Sequence, residues 1–136
     1  MQSDKFTALV RNAIGAAQSA ALAANHQKLT AEHVLAALLK DDNMTVKMLL
    51  AKAGADSASL SALLKAGLDK FPQVTGSGAG QLQLDADLAR IFASVEAEAK
   101  ARHDQFIAVD LLLLAMTKST GSVGKILKKA GVEPAR

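Results

Sequence analysis

Two of the three histidines of this sequence are close enough along the chain to be considered as ligands of one metal ion. His26 and His33 are seven positions apart, on either side of a predicted break between two helices. Metal ligands on one helix stand three or four positions apart, and the chain has no cysteine to complete a thiolate site. We expect both histidines to be loop or cap residues and expect no metal. The lack of cysteine also excludes disulfides and a cysteine nucleophile.

Two glycine-containing segments are candidates for a phosphate-binding loop. Residues 121–126 read Gly-Ser-Val-Gly-Lys-Ile, which has neither the spacing nor the final hydroxyl residue of the G-x-x-x-x-G-K-[ST] motif. Residues 76–80 contain three glycines but no lysine, and no strand is predicted before them. Both segments are predicted to be turns or linkers. We therefore expect no bound nucleotide or other cofactor.

The acidic residues and hydroxyls give no catalytic pattern. Asp85 and Asp87 stand at a predicted helix start, where capping accounts for them, and Glu96 and Glu98 fall on a predicted solvent-facing side. No Gly-x-Ser-x-Gly motif is present to carry a nucleophilic serine. Nothing pairs a nucleophile with a base, so we expect a domain without a catalytic site.

A lysine cluster near the end of the sequence could contact a phosphate backbone. It comprises Lys118, Lys125, Lys128 and Lys129, with no arginine or aromatic residue between them. The 16 Lys plus Arg and 13 Asp plus Glu leave a net charge of only +3. The pattern favours the solvent-facing side of an amphipathic helix, so we expect no nucleic-acid partner. A helical nucleic-acid-binding domain is the less favoured alternative, and it predicts steep salt dependence.

The composition is that of a packed helical protein. Half of the 136 residues are apolar, and only 3% are aromatic. No apolar run reaches the roughly 20 residues of a membrane span, and no signal-peptide pattern precedes the first predicted helix. We expect a cytoplasmic protein without a membrane partner.

Apolar periodicity predicts an all-α fold of seven helices. Thr30, Thr45 and Asp85 are predicted to cap the second, third and fifth helices, and Gly54 and Gly131 are predicted to follow the ends of the third and seventh. The predicted helices span residues 5–24, 31–40, 46–53, 57–70, 86–102, 108–118 and 123–130.

The order of these helices repeats. An ungapped shift of 77 residues places His26 on His103, Leu35 on Leu112, and the Lys-Ala-Gly of 52–54 on that of 129–131. We expect one domain over 1–136 with two pseudo-repeated units. Residues 1–70 would hold four helices, 71–84 a glycine-rich linker, and 85–136 three helices.

Four consecutive leucines, Leu111 to Leu114, stand on the short sixth helix. Because consecutive helical residues are about 100° apart, these four cannot all face one core. At least one should contact the other unit or reach the surface. Beside a helix such as that carrying Leu88, it would form an apolar groove.

Several segments of the sequence resemble one family. They are Lys-Phe-Thr at 5–7, the run from Asn25 to Leu39, the run from His103 to Leu114, and Phe-Pro-Gln-Val at 71–74 followed by Gly76. In these segments the sequence resembles the Clp N-domain, the repeated helical module at the start of Hsp100 Clp ATPases. The similarity is greatest to the ClpB disaggregase type.

The resemblance implies a chaperone module of the stress response. It would bind unfolded or aggregated polypeptide in an apolar groove and deliver it to the hexameric ATPase ring of its own full-length chain. ATP and magnesium would be bound only by ATPase domains outside this sequence. Adaptor proteins or a co-chaperone are further implied partners, and we expect the isolated domain to be monomeric.

The resemblance also implies binding residues. Thr7, Asp104 and Asp110 match polar positions that the family uses in chaperone activity, and Ile91, Phe92 and Leu111 match apolar positions near its client groove. Together with Leu88, these form the predicted substrate-binding set. Capping explains the three polar residues equally well, and plain core packing explains the apolar ones almost as well.

The alternative within the family is an adaptor-docking N-domain of the ClpA or ClpC type. In some ClpC-like relatives a glutamate in each repeat helps to recognise phosphoarginine. Glu32 stands at the first of these positions, but the 77-residue register places Val109 at the second. That difference argues against a paired phosphoarginine site.

Overall fold

A computed structural model describes residues 6–40, 45–71, 82–103, 106–119 and 121–132, and in these ranges the chain folds into seven helices. Two strands of two residues each pair in parallel, with Leu29 opposite Leu84. In chain order the elements are α1 (Ala8–Ala23), β1 (Lys28–Leu29), α2 (Ala31–Lys40), α3 (Thr45–Lys52), α4 (Ser57–Asp69), β2 (Gln83–Leu84), α5 (Ala86–Ala101), α6 (Val109–Thr117) and α7 (Ser122–Lys129).

The all-α prediction is confirmed, and the helix bounds agree to within three residues. The first helix starts at Ala8 rather than at residue 5, because Phe6 forms a parallel bridge with Ile107 instead. The strands were not predicted, and β2 lies inside the predicted linker. Residues 72–81 of that linker, and the predicted side-chain cap of Thr45, lie outside the described part of the chain.

Most helix ends follow the chemistry of their terminal residues. The Asp85 carboxylate accepts a hydrogen bond from the backbone N–H of Asp87 at 3.1 Å, as expected of an N-cap. Gly54 and Gly131 both have φ of 97°, the left-handed conformation that glycine adopts without strain. After each, the chain bonds back onto the preceding helix: Ala55 N–H to Leu50 O at 2.9 Å and Val132 N–H to Leu127 O at 3.0 Å.

The two units repeat with a register that differs from the predicted one. The first residues of α1 and α5, and those of α2 and α6, are 78 positions apart, whereas α3 and α7 are 77 apart. A shift of 78 also relates Leu29 to Ile107 and Phe6 to Leu84, so the Leu29–Leu84 pair corresponds to the Ile107–Phe6 bridge. The same shift relates Asn25 to His103, and both of these residues have a positive φ. The ungapped shift of 77 is therefore wrong by one residue before α3, because the matching Lys-Ala-Gly segments fix only the third helix of each unit.

One hydrophobic core runs through both units. The alanines Ala13, Ala17 and Ala21 form the buried side of α1 and let α2 approach closely. Within the second unit α5 packs on α6, and between the units α2 contacts α7 while α3 contacts α6. None of the helices in the described ranges has the length and apolar composition needed to cross a membrane.

The two units meet most closely where α3 and α7 end. A Cβ atom on Gly131 would lie 2.7 Å from the carbonyl oxygen of Gly54, nearer than real Cβ contacts allow. Beside this point the Asp56 N–H donates to the Ala130 carbonyl at 3.1 Å. The repeated helix ends therefore form a close backbone contact between the units.

We predict that Gly131→Ala lowers the free energy of unfolding by about 2 kcal/mol or more. An alanine at position 131 must keep the positive φ, which costs about 1–2 kcal/mol. Its methyl group would also collide with the carbonyl oxygen of Gly54. Urea unfolding of the domain measures the change. Gly15→Ala is the control. A Cβ atom at this exposed position inside α1 would have no neighbour within 4 Å, so alanine should raise the free energy of unfolding by about 0.5–1 kcal/mol. Equal effects of the two substitutions would contradict the proposed close contact.

Candidate functional site

An open cavity with partly apolar walls lies between α3 and α6. We call this cavity, of about 230 Å³, the α3–α6 cleft. Its walls come from α3, from α6, and from the residues that follow α5 and α7. They are Leu49, Leu50, Ala53, Arg102, Asp110, Leu111, Leu113, Leu114, Thr117 and Val132.

The leucine run of α6 supplies one side of the cleft. Leu112 is fully buried, and Leu111 and Leu113 are almost so, whereas Leu114 is half-buried. The prediction was that at least one of the four leucines contacts the other unit or reaches the surface, and the half-buried Leu114, which lines the cleft with residues of α3, agrees with it. Leu49 of α3, also half-buried, faces the same cleft.

Helix α4 makes the counterpart of this junction, between α2 and α7, different from it. In the first unit α4 packs on both α2 and α7, and a Cβ on Gly67 would lie 3.7 Å from the Ile126 side chain. Ile126 is the repeat equivalent of Leu49, 77 positions earlier. Among the described residues, no helix covers the α3–α6 junction in the same way.

One acidic and one basic residue stand at the cleft. Asp110 is exposed in the first turn of α6, and its carboxylate accepts a hydrogen bond from the Leu111 N–H at 2.8 Å. Arg102, at the end of α5, donates from Nε to Glu98 at 2.9 Å, and both side chains are about half exposed. The cleft thus combines an apolar floor with a solvated carboxylate and a solvated guanidinium.

Of the six predicted site residues that the structure describes, two, Asp110 and Leu111, lie in this cleft. Leu88, Ile91 and Phe92 on α5 are buried, with 0%, 4% and 3% of their surface exposed. Phe92 packs against Phe6 with ring centroids 5.5 Å apart. In this conformation the three side chains offer little surface to a partner, although Ile91 borders a separate hollow of about 200 Å³.

Thr7 and Asp104 are the remaining predicted residues. Thr7 precedes α1 and makes no side-chain cap bond, but its backbone N–H donates to Ile107 O at 3.1 Å. It therefore contacts the segment that leads into α6 rather than the cleft itself. Asp104 lies outside the described residues.

Sequence reasoning missed the wall that α3 contributes, namely Leu49, Leu50 and Ala53. No local motif marks them as different from ordinary core residues. The internal repeat held the information that could have found this wall. Helices α3 and α7 are equivalent, as are α2 and α6, so the contact of α7 with α2 has its counterpart in the contact of α3 with α6.

Glu32 is a second carboxylate of interest. It is buried and accepts a hydrogen bond from the Ser122 hydroxyl at 2.9 Å, which joins α2 to α7. Burial raises the pKa of Glu32, the Ser122 bond partly offsets this, and the charges of Asp85 and Asp87 add to the rise. In the 78-residue register its equivalent is Asp110, which corrects the earlier assignment to Val109.

The two predicted loop or cap histidines are neighbours. His26 Nδ1 and His33 Nε2 are 2.8 Å apart, and Thr30, which precedes α2, bonds to His33. In the described ranges of the chain, no group of three or more His, Asp or Glu side chains could hold a metal ion. Burial, followed by the proximity of His26, lowers the pKa of His33 to about 4, so its ring is neutral at neutral pH.

The four lysines of the basic cluster lie exposed. Lys125, Lys128 and Lys129 stand on the side of α7 opposite Val123 and Leu127, which are buried. This is the arrangement of an amphipathic helix whose charged residues face solvent.

We predict that Ser122→Ala lowers the free energy of unfolding by about 1–3 kcal/mol, since it leaves a buried carboxylate without its cross-unit donor. Thermal or urea unfolding measures the effect. Ser19→Ala, on the exposed side of α1, should change stability by less than about 0.5 kcal/mol. If both variants are equally stable, the Glu32–Ser122 bond does not hold the units together.

Comparison with known proteins places these observations in a family. The family described as Clp repeat (R) N-terminal domain matches residues 5–130. The chain is 39% identical over 137 residues to the chaperone protein ClpB of Rhizobium meliloti (strain 1021), covering 100% of this chain and 16% of that protein. The chain thus spans less than a fifth of the length of this relative.

Solved structures show the same fold. The Hsp104 N-terminal domain from Candida albicans matches with a TM-score of 0.82 and 21% identity, over 96% of this chain and 85% of that one. A complex of the ClpV N-domain with a VipB peptide matches with a TM-score of 0.72 and 18% identity, over 97% of this chain and 81% of that one.

Proposed function

The chain belongs to the family of Clp repeat N-terminal domains, and we propose that it is the substrate-recognition module of a ClpB-type ATP-dependent chaperone. The observation that carries this proposal is the 39% identity to a ClpB over the whole of this chain. Unfolded or aggregated polypeptide would be bound here and passed to an ATPase ring formed by other domains of the full-length protein. Catalysis would belong to those domains.

The α3–α6 cleft is the proposed client site. Its apolar floor includes two half-buried leucines, Leu49 and Leu114, which can bury further surface when a client side chain packs on them. A cleft of about 230 Å³ accommodates only a short apolar piece of a client. Binding would therefore be weak and tolerant of sequence, and six copies on one ring would raise the affinity through avidity.

The predicted site residues have different roles in this proposal. Asp110 and Leu111 contact the client, and the exposed carboxylate of Asp110 favours segments with a basic residue beside the apolar one. Thr7 positions the segment before α6 through its bond to Ile107. Leu88, Ile91 and Phe92 support α6 from the core side, since α5 packs on α6. Asp104 keeps its predicted role in chaperone activity.

Docking of an adaptor peptide is the second candidate function. The ClpV N-domain structure named above contains a bound VipB peptide, so this fold can hold a peptide partner. The correction of the repeat register also removes one argument against paired carboxylates, because Asp110 and Glu32 are equivalent. Glu32, however, is buried and bonded to Ser122, so only Asp110 is accessible for a guanidinium in this conformation.

We predict that Leu114→Ser weakens binding of a permanently unfolded polypeptide roughly tenfold. Losing burial of one leucine costs about 1.5–3 kcal/mol, and 1.4 kcal/mol corresponds to a factor of ten. An amide-resolved NMR titration measures both the affinity and the residues that shift. The control is Leu22→Ser, which changes an exposed leucine of α1 outside the cleft and should leave the affinity unchanged.

The titration is repeated at two salt concentrations. Shifts around Leu49, Asp110 and Leu114 that change little with salt would support the client site. Shifts confined to residues 118–129 and abolished by salt would contradict it and favour a nucleic acid or an acidic adaptor. Equal affinity of the Leu114→Ser and Leu22→Ser variants in folded domains would also contradict it.

A further inference from the structure

A directed chain of hydrogen bonds runs through the buried histidines. The Thr30 backbone N–H donates to His33 Nδ1 at 3.0 Å. A backbone N–H can only donate, so Nδ1 of His33 carries a lone pair and its neutral ring holds the proton on Nε2. That proton is donated to His26 Nδ1, 2.8 Å away. The orientation of both rings is therefore fixed by one backbone amide.

His33 cannot gain a second proton without losing a hydrogen bond. A proton on its Nδ1 would face the Thr30 N–H, so a hydrogen bond would be replaced by two opposed donors, and only the Thr30 hydroxyl could accept the new proton. His33 is only 4% exposed, although it borders an open cavity. Protonation of His33 therefore breaks the bond from the Thr30 amide and weakens the network.

The network joins the ends of three helices. His26 follows α1, and its N–H donates to Ala21 O at 2.9 Å. Thr30 and His33 form the start of α2, where the Thr30 hydroxyl lies 2.8 Å from His33 Nδ1. Phe71 follows α4, and its ring centroid is 5.5 Å from each imidazole. Beyond the rings, a cavity of about 760 Å³ separates α4 from α1 and α2 and is walled by Leu39, Leu64 and Leu68, among others.

We propose that the His26–Thr30–His33 network is an acid-sensitive latch, which holds the end of α4 against α1 and α2 at neutral pH. When His33 gains a proton the network separates, Phe71 loses its two aromatic partners, and the end of α4 moves away. The apolar walls of the cavity, which are already partly open, would then become more accessible as a second client-binding surface. This adds a pH-dependent surface to the proposed function and does not depend on the α3–α6 cleft.

Charged groups on several elements face the network. A second cavity of about 390 Å³ lies beside His26 and is lined by Lys28 of β1 and by Asp85, between β2 and α5. The negative charge of Asp85 favours protonation of the network, and the positive charge of Lys28 opposes it. The larger cavity adds Lys40 of α2, and Lys65 and Asp69 of α4. Burial outweighs the attraction of Asp85, so the pKa of His33 falls from 6.5 to about 4. Because the pKa of His33 is lower in the folded than in the unfolded chain, its neutral form contributes to the free energy of unfolding. That contribution is complete above about pH 6.5 and is lost as the pH falls toward 4.

Hydrogen exchange of backbone amides tests the latch, with rates corrected for the intrinsic effect of pH. Between about pH 7.5 and 5, the Thr30 amide, the amides of α2 after its first turn and those in the last turn of α4 should lose at least about tenfold of their protection. Amides in α5 and α6, around Val95 and Met116, should lose less than about threefold. Equal loss in all helices would mean global unfolding and would overturn the proposal, as would no loss at all.

The double variant His26→Asn/His33→Asn places amide oxygens near both Nδ1 positions and cannot titrate. It should show no acid-dependent loss at α2 and α4, and an unchanged loss would overturn the latch. The matched control is His103→Asn: His103 is exposed and has a φ of 61°, a conformation that asparagine tolerates. This control should behave as the unmodified chain does.

A second measurement on the unmodified chain serves if the double variant does not fold. ¹⁵N shifts of the imidazoles report which ring nitrogens carry protons. Ring protonation should coincide with the loss of protection at the end of α4. Protonation of His33 while the α4 amides stay protected would overturn the proposal.

Discussion

The close approach of Gly54 and Gly131 fixes how the two halves of the molecule fit together. Both glycines end a short helix in the left-handed conformation, and there is no room for a Cβ on Gly131 beside the Gly54 carbonyl. The eight-residue helices α3 and α7 pack within their own units, α3 on α2 and α4, and α7 on α6. With their ends in contact, each also packs on the second helix of the opposite unit, α3 on α6 and α7 on α2.

These cross-unit contacts create two similar junctions that differ in what covers them. At the α2–α7 junction, α4 packs on α7, and the Ser122 hydroxyl donates to the buried Glu32. At the α3–α6 junction, Asp110 is exposed, and among the described residues no helix takes the place of α4. Ile126 and its equivalent Leu49 are both half-buried, so the junctions differ in their covering helix and in the environment of their carboxylate.

The sequence was sufficient to predict the helices, because their apolar residues recur at helical spacing and glycine marks two of their ends. It was not sufficient for the strands, since two residues give no periodic signal and pairing depends on segments far apart in the chain. The repeat register was off by one before α3, because alanine-rich helices match almost equally well at neighbouring shifts. The apolar residues of α5 show the limit for the site. Periodicity identifies the apolar side of a helix but does not distinguish core from groove, and only the structure shows that Leu88, Ile91 and Phe92 are buried.

The covering of one junction by α4 has a consequence for stoichiometry. A duplicated fold with two open junctions would present two equivalent sites and could crosslink two polypeptides or bind one segment in either of two registers. With α4 seated on the first junction, the described part of the chain presents one such site. In the ring that the proposed function implies, each subunit would then contribute one such contact to a long polypeptide.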